Sequence, residues 1–120
     1  MDDQEMIRQI SQTILSYLGY EVVTVADGQL ALEEYQKASD TGRPFDLVLL
    51  DITIPGGMGG QETIKELLAL DPAANAVVAS GYSNDPILAN YQDFGFKGSI
   101  VKPYQVQELS QLIDKILNVK

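Results

Sequence analysis

The sequence predicts an α/β domain, a parallel sheet with helices on both faces, on three observations. Leu47-Val48-Leu49-Leu50 is apolar without alternation, as a strand buried on both faces requires. Short apolar runs alternate with helical patterns along the whole chain, and such alternation implies parallel strands joined by right-handed crossovers. Three of the apolar runs end in groups able to do chemistry, Asp51, Ser80 and Lys102-Pro103. In an open α/β sheet the carboxyl ends of the strands form the working edge.

Each element has its own signal. Ile7, Ile10, Ile14 and Leu18 share one face of a helix over Gln4–Leu18, flanked by Met6 and Tyr17. Glu5 favours the positive end of its dipole, and Gly19 suits a left-handed stop. Tyr20–Ala26 is rich in β-formers and reads as a strand. Asp27-Gly28 turns into a helix over Gln29–Ala38, with Leu30, Ala31, Tyr35 and Ala38 expected inside. After the polar loop Ser39–Pro44 comes the strand Phe45–Leu50. A helix over Gln61–Leu70 packs through Ile64, Leu67 and Leu68 and ends at Asp71-Pro72. Ala76–Ser80 is a short buried strand. Asn84-Asp85-Pro86 opens a helix that runs to Phe94 and stops at Gly95. Gly98–Val101 is the last strand, and Val106–Leu117 the last helix, with Leu109, Leu112, Ile113, Ile116 and Leu117 inward.

Composition removes several classes of function. With 120 residues the chain is one domain, able to bury roughly two thirds of its unfolded surface. It has no cysteine, hence no disulfide, thiol nucleophile or zinc-thiolate site, and no histidine, hence no His-based triad. The net charge of −9 argues against nucleic acid or an anionic membrane as direct partner. No apolar run approaches the ~20 residues of a membrane span, and no signal peptide is visible. The cytoplasm is the expected compartment.

Asp2-Asp3, Leu49-Leu50-Asp51 followed by Pro55-Gly56-Gly57-Met58-Gly59-Gly60, Ser80-Gly81-Tyr82-Ser83 and Lys102-Pro103 together resemble the receiver domain of two-component response regulators. The resemblance spans residues 1–120, and Met58–Tyr104 is most similar to receivers of hybrid histidine kinases. It implies a flavodoxin-like, doubly wound sheet of strand order 2-1-3-4-5. It also implies a signalling module and not an enzyme in the ordinary sense. Asp51 would accept a phosphoryl group from a histidine kinase or histidine phosphotransfer protein. Mg²⁺ would be held by Asp2, Asp3, Asp51 and the backbone carbonyl of Thr53, with Asp3 the direct ligand of the acidic pair. Lys102 would place a compact cation on a phosphoryl oxygen, and Ser80 would donate its hydroxyl to another. Three clustered carboxylates repel one another, which is itself a reason to expect a cation.

Taken singly, each residue has a plainer reading. Asp2 and Asp3 precede a helix, where Asp is usually a cap. Ser80 could be a loop hydroxyl and Lys102 a solvated charge. The glycine run lacks the Lys-Ser/Thr of a P-loop and reads as a turn that clears access to Asp51, while Gly81 would keep the approach open beside Ser80. Joint occurrence, not any one residue, marks the site.

Two departures from the family pattern stand out. Receivers usually open with a strand of about five apolar residues, whereas here Met1 stands where that strand should end. Four strands and five helices are therefore expected. Deleting a central strand leaves a gap of nearly 10 Å between its neighbours. A contracted sheet or a homo-oligomer is the expected response, since unpaired backbone is costly. Ser99 also occupies the position of the family's frequent aromatic switch residue, and Tyr104 follows Lys102-Pro103 without clearly replacing it. The alternative functions are a receiver-like interaction module, unphosphorylated for want of the strand, and a Mg²⁺-dependent phosphohydrolase using Asp51. The second lacks a general acid near Asp51 in sequence.

Overall fold

A computed structural model describes residues 1–117. The elements run α1 (Glu5–Tyr17), α2 (Gly28–Asp40), β1 (Val48–Asp51), α3 (Gly60–Leu70), β2 (Ala76–Ser80), α4 (Pro86–Ala89), a 3₁₀ turn (Tyr91–Phe94), β3 (Gly98–Val101) and α5 (Val106–Leu117). The three strands are parallel in the order β1-β2-β3. Asp51 lies opposite Ala79, and Ser80 opposite Val101, so the ends of all three strands meet at one edge.

Alternation along the strands feeds two cores. Leu50, Ala76 and Val78 point to the layer that holds Tyr35, Ile64, Leu67, Ile87 and Phe96. Val77, Ala79 and Ile100 point to the opposite layer with Ile14, Leu109 and Ile113. All five residues of β2 are buried, which explains why its sequence carries no polar alternation. No helix among the described residues is long and apolar enough to cross a membrane.

Four sheet strands were expected and three form. Tyr20–Val25 runs without regular secondary structure, and among the described residues Glu21–Thr24 make no backbone hydrogen bond. Between this segment and β1 lie Met1 and Asp2: the Met1 amino nitrogen donates to Leu49 O at 2.8 Å, Asp51 N–H donates to Met1 O at 3.1 Å, and Asp2 N–H donates to Val25 O at 3.0 Å. Below that bridge lies a cavity of about 120 Å³, lined among others by Leu15, Val23, Val25, Leu47, Leu49 and Phe45. The sheet therefore does not close up as the sequence led us to expect. Met1 and Asp2 hold the neighbours apart, and among the described residues Glu21–Thr24 find no ladder partner.

Three smaller expectations also change. The helix expected from Pro86 to Phe94 breaks at Asn90 into α4 and a 3₁₀ turn, which Gly95 ends with a φ of 95°. Leu30 is 42 % exposed, and Leu32 packs inward in its place, one residue pair round the helix. The N-terminal glycines of α3 are packing residues: a Cβ on Gly60 would stand 2.9 Å from Asp51 O.

Candidate functional site

The site forms where the three strands end. Lys102 follows β3 directly, and its backbone N–H donates to Ser80 O at 2.8 Å, which extends the β2–β3 ladder by one step and aims the side chain along the sheet edge. Its Nζ lies 2.8 Å from Asp2 Oδ2 and 3.0 Å from Asp51 Oδ2. All three side chains are nearly sealed, at 11, 5 and 4 % exposure. An ion pair this dry is held by geometry and not by screening-prone surface attraction.

Asp2 is anchored from several sides. Its Oδ1 accepts from Gln4 N–H at 2.9 Å, a turn ahead of the helix, while the N-cap of α1 is Gln4 and carries no side-chain cap, so Asp2 does not take the capping role its position suggested. Its Oδ2 faces Lys102, and its backbone carbonyl accepts from the Arg8 guanidinium at 2.8 Å. Arg8 sits in the first turns of α1, where a cation opposes the helix dipole. A cation so placed signals a specific partner, here the Asp2 carbonyl.

Carboxylate oxygens of Asp2, Asp3 and Asp51 lie within 4.8 Å of one another, with Asp3 exposed and the other two buried. Hard oxygen donors so grouped suit a small divalent cation, and Asp3, open to solvent, can turn toward it. Burial pushes the Asp51 carboxyl above the usual carboxylate range, and the Asp2 charge adds to this. The hydrogen bond from Lys102 and one from the Thr53 backbone pull the other way. Burial disfavours the Lys102 ammonium, but hydrogen bonds to Asp2 and Asp51 outweigh it, so its pKa is raised and the cation is secure. Thr53 is exposed two residues past Asp51, and its backbone N–H faces the carboxylate.

Ser80 closes β2 and is 1 % exposed. Its Oγ donates to Asp85 Oδ2 at 3.1 Å and accepts from Tyr82 N–H at 3.1 Å. It thus sits at the correct edge but is turned toward α4. Asp85, read from sequence as a helix start, does cap Ile87 N–H, and its tie to Ser80 was not legible from spacing. A Cβ at Gly81 would meet nothing within 4 Å, so a glycine there is not demanded by packing. Ser99 donates to Leu88 O at 2.8 Å, fastening α4 to β3 where an aromatic residue was absent. Tyr104 is buried at 7 % exposure in the core of the α1/α5 layer. Its phenol is pushed well above the ordinary range by burial and by the nearby Asp2 and Asp51 charges. It is a packing residue and does not stand in for a mobile aromatic.

The chain is similar to known proteins over nearly its whole length. The family model described as the response regulator receiver domain matches residues 1–114. The chemotaxis protein CheY of Thermotoga maritima is 32% identical over 117 residues, 97% of this chain and 92% of that protein. The sporulation initiation phosphotransferase F of Bacillus subtilis is 30% identical, over 100% of this chain and 92% of that protein. Among solved structures, Vibrio cholerae CheY4 superposes with a TM-score of 0.84 at 29% identity, covering 97% of this chain and 93% of that one. The CheX-CheY complex of Borrelia burgdorferi with BeF3 and Mg2+ gives a TM-score of 0.83 at 27% identity, covering 99% of this chain and 86% of the matched one.

Proposed function

Since this chain belongs to the response regulator receiver domain family, we propose that it takes a phosphoryl group from a phosphohistidine onto Asp51 and signals through the resulting change of shape. The donor is a histidine kinase or a histidine phosphotransfer protein. The observation that carries this reading is the sealed contact of Lys102 Nζ with Asp2 and Asp51 at 2.8 and 3.0 Å, beside the exposed carboxylate of Asp3. Met1 and Asp2, bonded to Leu49, Asp51 and Val25, hold that constellation together, which favours a working site over an unphosphorylated interaction module.

In the transfer, an Asp51 oxygen attacks phosphorus as the P–N bond to the donor imidazole breaks. The product is an acyl phosphate, and the departing nitrogen takes up a proton. Lys102, already positioned, moves its charge onto a phosphoryl oxygen. Asp2 keeps Lys102 aligned while charge develops on the group in flight. Asp2, Asp3, Asp51 and the Thr53 carbonyl would hold Mg²⁺, which would supply positive charge to offset that of the phosphoryl group. A small phosphodonor such as acetyl phosphate with Mg²⁺ is expected to add one acid-stable, base-labile phosphoryl group, and excess chelator to prevent it. Intact-protein mass measurement showing no addition, or equal addition with and without chelator, would remove the reading.

The unpaired backbone of Glu21–Thr24, beside Val23 at 53 % exposure, also supports association between two copies of the chain through this edge. Sedimentation equilibrium should then show a dimer that dissociates when Val23 is replaced by Lys. A monomer at all concentrations would exclude it.

A further inference from the structure

We propose that Asp85 is a positioning residue that holds the Ser80 hydroxyl turned away from Asp51, so that the Ser80–Asp85 hydrogen bond is the contact phosphorylation must break. This rests on the reading of Asp51 as phosphoacceptor. A serine hydroxyl has one hydrogen to donate. Here it is directed at Asp85 Oδ2, at 3.1 Å, while the oxygen already accepts from Tyr82 N–H. Ser80 therefore has no hydrogen for a phosphoryl oxygen on Asp51 until the Asp85 bond is given up.

What distinguishes Asp85 from an ordinary cap is its second oxygen. Capping uses only Oδ1, which accepts from Ile87 N–H at 3.2 Å. Oδ2 is spent on Ser80, a residue of a different element that is 1 % exposed. One carboxylate thus joins the end of β2 to the start of α4. At four residues α4 is too short to hold its own shape, so the bonds at its ends position it. Its far side is tied through Ser99 to Leu88 O at 2.8 Å. When Ser80 turns to a phosphoryl group, the Asp85 end of α4 loses its anchor and the Ser99 tie remains. The surface around Tyr82, 75 % exposed, then changes without any aromatic side chain moving through the core.

The test is Asp85→Asn. The amide oxygen retains the cap, but the amide nitrogen is a donor and cannot accept the Ser80 hydrogen. Phosphorylation by acetyl phosphate with Mg²⁺ should accelerate by about tenfold or more, the range a hydrogen bond to a charged acceptor commands. In a Ser80→Ala background the same substitution should change the rate by less than about twofold, whereas a general effect of Asp85 on folding would persist there. NMR couplings that report the Ser80 χ1 rotamer in the unphosphorylated protein should shift in Asp85→Asn. Equal rates for wild type and Asp85→Asn, or acceleration that survives Ser80→Ala, overturns the proposal. Should wild type take up no phosphoryl group, the phosphoacceptor reading fails. The rotamer measurement then decides, with an unchanged Ser80 rotamer overturning the contact's role and a shifted one supporting it.

Discussion

Asp51→Asn is expected to lose all phosphorylation and to unfold at a higher temperature than wild type. The loss follows from chemistry, because an amide cannot attack phosphorus as a carboxylate does. The gain follows from electrostatics. Asp51 is buried, its carboxyl is pushed up by desolvation and by the Asp2 charge, and Lys102 only partly relieves this. Exchanging the carboxylate for a neutral group of the same shape leaves Lys102 paired with Asp2 alone, one cation to one anion. A stabilisation on the order of 1 kcal/mol is typical where a functional site gives up a strained charge. Mass measurement after acetyl phosphate treatment and thermal unfolding at neutral pH check the two halves. Labelling equal to wild type would remove Asp51 from its role, and a large fall in stability would show that its carboxylate is structurally required.

Lys102→Met is expected to be the most destabilising single change at the site, by about 3–5 kcal/mol at neutral pH, the usual result of removing one partner of a buried ion pair. Domains of this size are stable by only about 5–15 kcal/mol, so the effect would be large. The cause is not lost packing, since Met fills the space of the lysine stem. It is that the Asp2 and Asp51 side chains, 5 and 4 % exposed, lose their common cation. The pH dependence has a definite sign. With Lys102 gone the Asp51 carboxyl rises further above its unfolded value, so the folded variant binds a proton more readily than the unfolded one. Stability conferred in that way is present at low pH and lost as pH rises, so the variant's deficit should shrink on acidification. Added Mg²⁺, binding the same carboxylates, should restore part of the stability at neutral pH. Denaturant unfolding across pH, with and without the metal, checks both. A variant as stable as wild type at pH 7 would show that the Lys102 contacts contribute nothing net.

Much of this protein was determined by short-range pattern. Ala76–Ser80 had to be a strand because four consecutive small or branched apolar residues ending in a serine admit burial on both faces, and α5 had to be a helix because its apolar residues recur on one side. Asp51, Ser80 and Lys102 could be placed at one edge because each ends an apolar run in a parallel sheet, where every strand points the same way. What only the tertiary structure decided concerns partners. Tyr20–Val25 has the composition of a strand, yet a strand exists only with a neighbour, and the one ladder contact this segment makes among the described residues is from Asp2 N–H to Val25 O. Asp85 has the local signature of a cap, and nothing in its spacing discloses that its second oxygen reaches back to Ser80. Asp2, Asp51 and Lys102 are far apart in the chain, and only the meeting of the strand ends at one edge brings the Lys102 ammonium within 3.0 Å of both carboxylates, where burial makes each depend on the others. Local sequence determines what an element can be, while ladder partners and the pairing of buried charges are set by residues distant in the chain, because those terms exist only between surfaces the fold brings together.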